Sequence, residues 1–154
     1  MLHIVLFQPE IPQNTGNIGR MCALTKSRLH LIHPLGFTIT DRHLKRAGMD
    51  YAAQAVIARH ADWDAFLASV GPARIVLMSS KASTPLPSFT FRPDDILLMG
   101  SESSGAPASV HERADARVYI PMAPGFRSLN ISVSAGIALA EGLRQTQQFP
   151  GAKT

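Results

Sequence analysis

Three short apolar runs in the second half of the chain, Ile75-Val-Leu-Met78, Ile96-Leu-Leu-Met99 and Val118-Tyr-Ile-Pro121, each stop at a small polar turn: SSKAS, GSESSGAP and PMAPGFRSLN. Continuous apolar runs of this length, bounded by turns, read as strands buried on both faces, which belong in a parallel sheet covered by helices. In open sheets of that kind ligands bind just beyond the carboxyl ends of the strands, so three such turns imply one shared pocket. Turns without large side chains leave backbone N–H and C=O groups open to close approach, which suits an adenosine-like molecule held by its edges. Gly and Ser also punctuate ordinary strand-ending turns, so periodicity alone leaves both readings standing.

The first half supplies the rest of an α/β pattern. Leu2 to Phe7 is a strand candidate, followed by an extended loop at Gln8-Pro9-Glu10-Ile11-Pro12, where two prolines restrict the backbone. A helix follows, capped by Asn14 or Thr15, with Ile18, Met21, Cys22 and Leu24-Thr25 at the spacing of a buried face. Arg28 to Ile32 alternates like a second strand, which completes a βαβ unit and makes the sheet mostly parallel. Asp41 can cap a short basic helix ending at Gly48, Ala55 to Arg59 is a weak strand, and Asp62 caps a helix through Ala68. Thr84 to Pro93, with three prolines, reads as an exposed connection, and Pro107 can open a short helix to about Arg113. The last helix, about Asn130 to Gln148, carries apolar residues on more than one face, a pattern that calls for cover by a second copy of the chain or by the core of a monomer.

The 154 residues fit a single domain, 1–154, and hence one site. Charged residues are only 17% of the chain, the net charge is +4 and the pI about 9.7, a balance that suits a polyanionic partner without demanding one. Cys22 is the only cysteine, so no intrachain disulfide forms; a thiol in a helical apolar pattern is core filler, and the cytoplasm is the expected compartment. The opening MLHIVLF is too short for a secretory signal, and no apolar run reaches membrane-spanning length. Six histidines at 3, 30, 33, 43, 60 and 111 include no HxxxH or HxH pair, so no metal site is expected.

Three segments carry the chemistry. Pro12 to Arg20 reads P-Q-N-T-G-N-I-G-R, which lacks the GxGxxG spacing of a dinucleotide fingerprint and disfavours a Rossmann cofactor. Met99 to Gly105 and Ile120 to Asn130 follow. In this order, N-x-G-N-x-x-R, G-x-E-x-x-G, then I-P-M and S-L-N, they resemble the SPOUT class of RNA methyltransferases. The whole chain, with E-I-P-Q-N-T-G-N-I-G-R and R-A-G-M-D-Y, is similar to the small single-domain tRNA 2′-O-methyltransferases that act on the wobble nucleotide 34. The resemblance implies an α/β fold with a C-terminal deep trefoil knot, S-adenosylmethionine as methyl donor, the tRNA anticodon loop as substrate and a homodimer binding that substrate across its interface. Nothing in the residue pattern itself would reveal a threaded chain.

Carried over position by position, the resemblance places Met78, Gly100, Ile120, Met122, Ser128 and Asn130 at the methyl donor and Arg20 beside the reacting ribose. Asn14 and Glu102, at polar positions of the first two motifs, are expected to bind substrate, and Arg42, Lys45 and Arg46, with Arg20, are the candidate phosphate-binding face. Each has a plainer reading: Met78 and Ile120 as strand residues, Gly100 as a turn, Asn130 as a helix cap, Glu102 as a surface residue at a helix entrance, the basic residues as a solvated face. A guanidinium is a poor base, so Arg20 fits phosphate binding and stabilisation of charge on the ribose oxygen, the proton leaving to a phosphate oxygen or water. Two departures from the family pattern stand out. Ser104 replaces an arginine, and Leu139 replaces a tyrosine of the last helix.

Overall fold

The computed structural model describes residues 1–38, 42, 57–126 and 128–151. Seven parallel strands, β1 (His3–Phe7), β2 (Arg28–Ile32), β3 (Ile57–His60), β4 (Ile75–Met78), β5 (Thr84–Pro85), β6 (Ile96–Met99) and β7 (Ala116–Tyr119), lie in the order β3-β2-β1-β6-β4-β7-β5. Helices α1 (Pro12–Thr25) and α4 (Ile131–Thr146) cover one face; α2 (Trp63–Val70) and α3 (Ala108–Arg113) cover the other. Strand alternation sorts the core: Ile4, Leu6, Leu97 and Met99 meet Ile18, Cys22 and Leu139, whereas Val5, Phe7, Ile96 and Leu98 meet Phe66 and Val110. Both faces are covered, so β2 is buried along Leu29–Ile32 rather than alternating with solvent.

Several local expectations shift. α1 begins at Pro12, whose fixed φ and missing N–H suit the first helical position, so Asn14 and Thr15 lie inside the helix and cap nothing. Leu24 is 57% exposed, on the opposite side of α1 from Ile18 and Cys22. The segment 84–93 contains β5, a 3₁₀ turn at Leu86–Ser88 and the buried Leu86 and Phe91, because α4 packs over it; the Gln145 side chain accepts from the Phe91 N–H (2.8 Å) and donates to the Phe89 carbonyl (2.9 Å). Asp62 and Asn130 do cap α2 and α4, as expected. The third strand is described over Ile57–His60; residues 55 and 56 of the expected strand, and the basic helix expected over 41–48 apart from Arg42, lie outside the described residues.

The β-register also assembles a row of histidines. His3 sits opposite Arg28, so His30 lies two residues further on the same face; His60 sits opposite Ile32, again two residues on. His3 Nδ1 is 2.9 Å from His30 Nε2, and His30 Nδ1 is 2.9 Å from His60 Nε2. The rings stack at 5.1 and 5.2 Å, with Phe66 edge-on to His30 and His60. Burial holds all three imidazoles below their ordinary pKa, His30 down to about 3. At the start of β4, Arg74 grips the buried Asp95 through two bonds of 2.7 and 2.6 Å and stacks over Phe89.

Candidate active site

Strands β6, β4 and β7 are neighbours, and their register sets Met99, Met78 and Val118 level with one another. The three turns beyond them therefore open at one edge of the sheet, where they enclose a cavity of about 660 Å³. Met78, Met99, Ile120 and Ile131 form its apolar wall; Ser79, Gly100, Ser101 and Ser128 bring small polar residues and backbone to its rim. Strand β7 ends at Tyr119, which leaves Ile120 in the turn and facing the cleft rather than inside the sheet.

The middle turn is closed on itself. Ser101 and Gly105 exchange backbone bonds of 3.0 and 2.9 Å, and the Ser101 hydroxyl lies 2.9 Å from that of Ser104. Gly105 takes φ +66° to make this reversal. A Cβ on Gly100 would lie 2.5 Å from the Gly105 carbonyl carbon and 2.7 Å from the Ala106 nitrogen, so only glycine fits beneath the turn. Ser104 thus keeps its side chain within the turn, where the family pattern has an arginine. Leu139 is 1% exposed and part of the core between α4 and the sheet.

A polar chain links the three motif segments. Asn130 Nδ2 donates to Asn14 Oδ1 (3.1 Å), and Asn14 Nδ2 points at Glu102 Oε1 (3.5 Å). The Glu102 carboxylate also accepts the backbone N–H groups of Glu10 (2.8 Å) and Ile11 (3.2 Å), at the entrance to α1. Asn130 meanwhile accepts from the Ser132 N–H (2.8 Å), which fixes the start of α4. Glu102, Asn14 and Asn130 therefore spend much of their hydrogen-bonding capacity holding the cleft together. This partly buried network, anchored on the buried Asn14, joins three segments far apart in sequence.

Eight of the residues expected at the site, Asn14, Met78, Gly100, Glu102, Ile120, Met122, Ser128 and Asn130, line this one cavity. Arg20 does not. It lies six residues beyond Asn14 on α1 and is exposed, sharing a stripe with Gln13, Asn17 and Leu24. Arg42 is exposed, and Lys45 and Arg46 lie outside the described residues. Sequence reasoning passed over Ile11, Lys81, His111 and Phe126, which also line the cavity. Lys81 stands inside the SSKAS turn, so its position was readable; His111, one turn into α3, carried no such signal.

A seven-stranded parallel sheet with a ligand-sized cleft formed by three strand-ending turns is the architecture of an α/β enzyme whose candidate site lies at the carboxyl edge of its sheet. Residues 1–140 match the model of the SpoU rRNA Methylase family, and the chain belongs to that family. It is 52% identical to a tRNA (cytidine(34)-2′-O)-methyltransferase of Beijerinckia indica, over 92% of this chain and 90% of that one. It is 42% identical to the enzyme of that name from Escherichia coli (strain K12), over 99% and 98%. A solved structure concerned with the 2′-OH methylation of C/U34 on tRNA superposes with a TM-score of 0.90 at 44% identity, covering 94% of this chain and 95% of that one. An AdoMet-bound rRNA methyltransferase from Sinorhizobium meliloti superposes with a TM-score of 0.85 at 25% identity, over 93% of this chain and 56% of that one.

Proposed function

We propose that this protein transfers a methyl group from S-adenosylmethionine to the ribose 2′-hydroxyl of nucleotide 34, cytidine or a modified uridine, in the anticodon loop of tRNA. The observation that carries the reading is the convergence of the three motif segments on one cleft, in a chain that matches enzymes of this name over nearly its whole length. The cleft suits the donor: its volume lies in the usual range for small-molecule sites, and it joins thioether and aliphatic surface to turns free of bulky side chains. When bound, the donor supplies a methyl carbon activated by its sulfonium. Met78 and Ile120 wall the cleft, and Gly100 and Ser128 bring backbone to the ligand's edges. A single-stranded loop suits such a site, because its ribose can enter a pocket closed to a duplex. Threading of the C-terminal segment through the knot is part of this reading.

The protein acts as a homodimer in the cytoplasm. α4 packs against α1 and leaves Val133 (49%) and Ile137 (41%) exposed, as Leu24 and Arg20 are on α1. In this reading a two-fold contact through α1 and α4 covers those apolar side chains and brings Arg20 of one subunit to the cleft of the other. There Arg20 binds a phosphate and stabilises negative charge developing on the ribose oxygen.

Calorimetric titration with S-adenosylmethionine, then methyl transfer to tRNA with the modified nucleotide mapped by mass spectrometry, tests the reading. Micromolar donor binding and methylation confined to position 34 are expected. Donor binding without transfer would instead make this a non-catalytic RNA-binding relative, and methylation of another RNA would refute the substrate. Ile137→Asp should give monomers by sedimentation and lose transfer while keeping donor affinity; a fully active monomer would refute the shared site.

A further inference from the structure

The turn after β6 is tied to the entrance of α1 by two carboxylates reaching in opposite directions. Glu102, from the turn, accepts the N–H groups of Glu10 and Ile11. Glu10 reaches back and accepts both the N–H (3.0 Å) and the hydroxyl (2.6 Å) of Ser103. Neither Glu10 nor Ser103 lines the donor cleft, and neither was singled out by the motifs' chemistry. Both are exposed, so their contact hides no apolar surface; its consequence is geometric.

The Glu10 side of this clasp is itself held. The Gly36 N–H donates to the Pro9 carbonyl (2.9 Å), and a Cβ on Gly36 would lie 2.9 Å from the Glu10 Cα, so the 33–36 loop presses directly on Glu10. Gln8, two residues earlier, holds φ +48°, an uncommon conformation for a side-chain-bearing residue. Hydrogen bonds from Ser103 also hold the Glu10 carboxyl below the usual range, keeping it an acceptor.

We propose that the Glu10–Ser103 clasp is a positioning element: it couples the donor-binding turn 100–105 to helix α1, so that donor seated in the cleft orders the entrance of the helix carrying Asn14 and Arg20. The proposal rests on the methyltransferase reading above. Transfer to a hydroxyl needs nucleophile and methyl in line, and a misplacement of about 1 Å costs up to about a hundredfold, so a rigid link between the two halves of the site has a direct kinetic consequence.

The test uses full-length protein with S-adenosylmethionine as probe and three variants: Ser103→Ala, which deletes the hydroxyl; Ser103→Thr, which keeps it; and Glu10→Gln, which removes the charge. In the parent protein, donor binding should slow amide hydrogen exchange at residues 10–15 as well as at 101–105. Ser103→Ala and Glu10→Gln should lose the response at 10–15 and keep that at 101–105, with donor Kd changed less than about threefold and kcat lowered about tenfold. Ser103→Thr should restore both the exchange response and kcat. Absence of a response at 10–15 in the parent, an unchanged kcat in Ser103→Ala, or a loss that Thr does not restore would overturn the clasp. A parent that binds no donor, or binds it without methylating tRNA, would instead overturn the functional reading, and in the second case the exchange comparison still decides the clasp.

Discussion

Lowering the pH from 7.5 to 5 should destabilise this protein by an amount set by the histidine row. His30 is 3% exposed, and burial first, then the proximity of His3, His60 and Arg28, where any further positive charge is disfavoured, lowers its pKa from 6.5 to about 3. The folded state therefore keeps it neutral throughout this range, whereas the unfolded chain takes up a proton as pH falls below 6.5. Stability from this group is fully present above pH 6.5 and declines by about 1.4 kcal/mol per pH unit below it, which sums to about 2 kcal/mol at pH 5. His3 and His60 shift in the same direction and add to the slope; the groups facing the row are Arg28 and the N-terminal amine, which lower His3, and Asp94, which opposes them. Glu141, held down to about 2 by its hydrogen bond from Arg144, loses its contribution only as pH falls through 4.5 toward 2, below this window. Urea denaturation at fixed protein concentration measures the effect. For a chain of this size a 2 kcal/mol loss moves the midpoint by about 1 M. His30→Gln, which still offers a donor and an acceptor to its neighbours, should lower overall stability modestly and flatten the dependence by about 2 kcal/mol across the window. An equal pH slope in parent and variant would refute the assignment of the row as neutral and buried.

Three further outcomes follow from the cleft, the exposed face of α1 and the core. Gly100→Ala drives a Cβ to within 2.5 Å of the Gly105 backbone, so the turn must open; donor affinity by calorimetry should fall about tenfold or more, and an unchanged Kd would contradict the assignment of this turn to the donor. Arg20→Ala should lower transfer by about 100-fold or more while leaving donor affinity within about twofold, and near-normal turnover would remove Arg20 from the reaction. Arg74→Ala leaves Asp95 buried without its cation and should cost about 3–5 kcal/mol in denaturant unfolding at pH 7.5; a loss below about 1 kcal/mol would mean Asp95 finds water or another partner.

The cleft was partly legible along the chain, because its parts are local: a strand, its last apolar residue, and the small residues that turn the chain. Met78, Gly100 and Ile120 were placed at it by the resemblance, and Ile120 reaches the cleft only because β7 stops one residue short of it. Asn130 was legible as a cap, but the polar chain that joins Glu102, Asn14 and Asn130 was not. Each has a polar side chain suited to a ligand, yet in the fold they bind one another and the backbone, a choice that depends on which segments meet. The start of α1 shows the opposite balance, where a local rule at Pro12 overrode the capping preference of Asn14 and Thr15. Leu24 shows a limit of periodicity: apolar spacing cannot distinguish a residue facing the core from one facing outward on the same helix.

What the chain settled by itself is the architecture: apolar runs of four or five residues, separated by helical patterns and small-residue turns, leave little besides a parallel sheet with covered faces. What only the tertiary structure decided is which distant residues become neighbours. His3, His30 and His60 are separated by 27 and 30 positions without any recognisable spacing, and strand register alone brings them into one hydrogen-bonded row. Glu10 and Ser103, 93 positions apart, meet because β1 and β6 are adjacent and parallel, so the segments leaving their carboxyl ends emerge side by side. Local pattern encodes backbone conformation; long-range pairing depends on strand order, which no single segment contains.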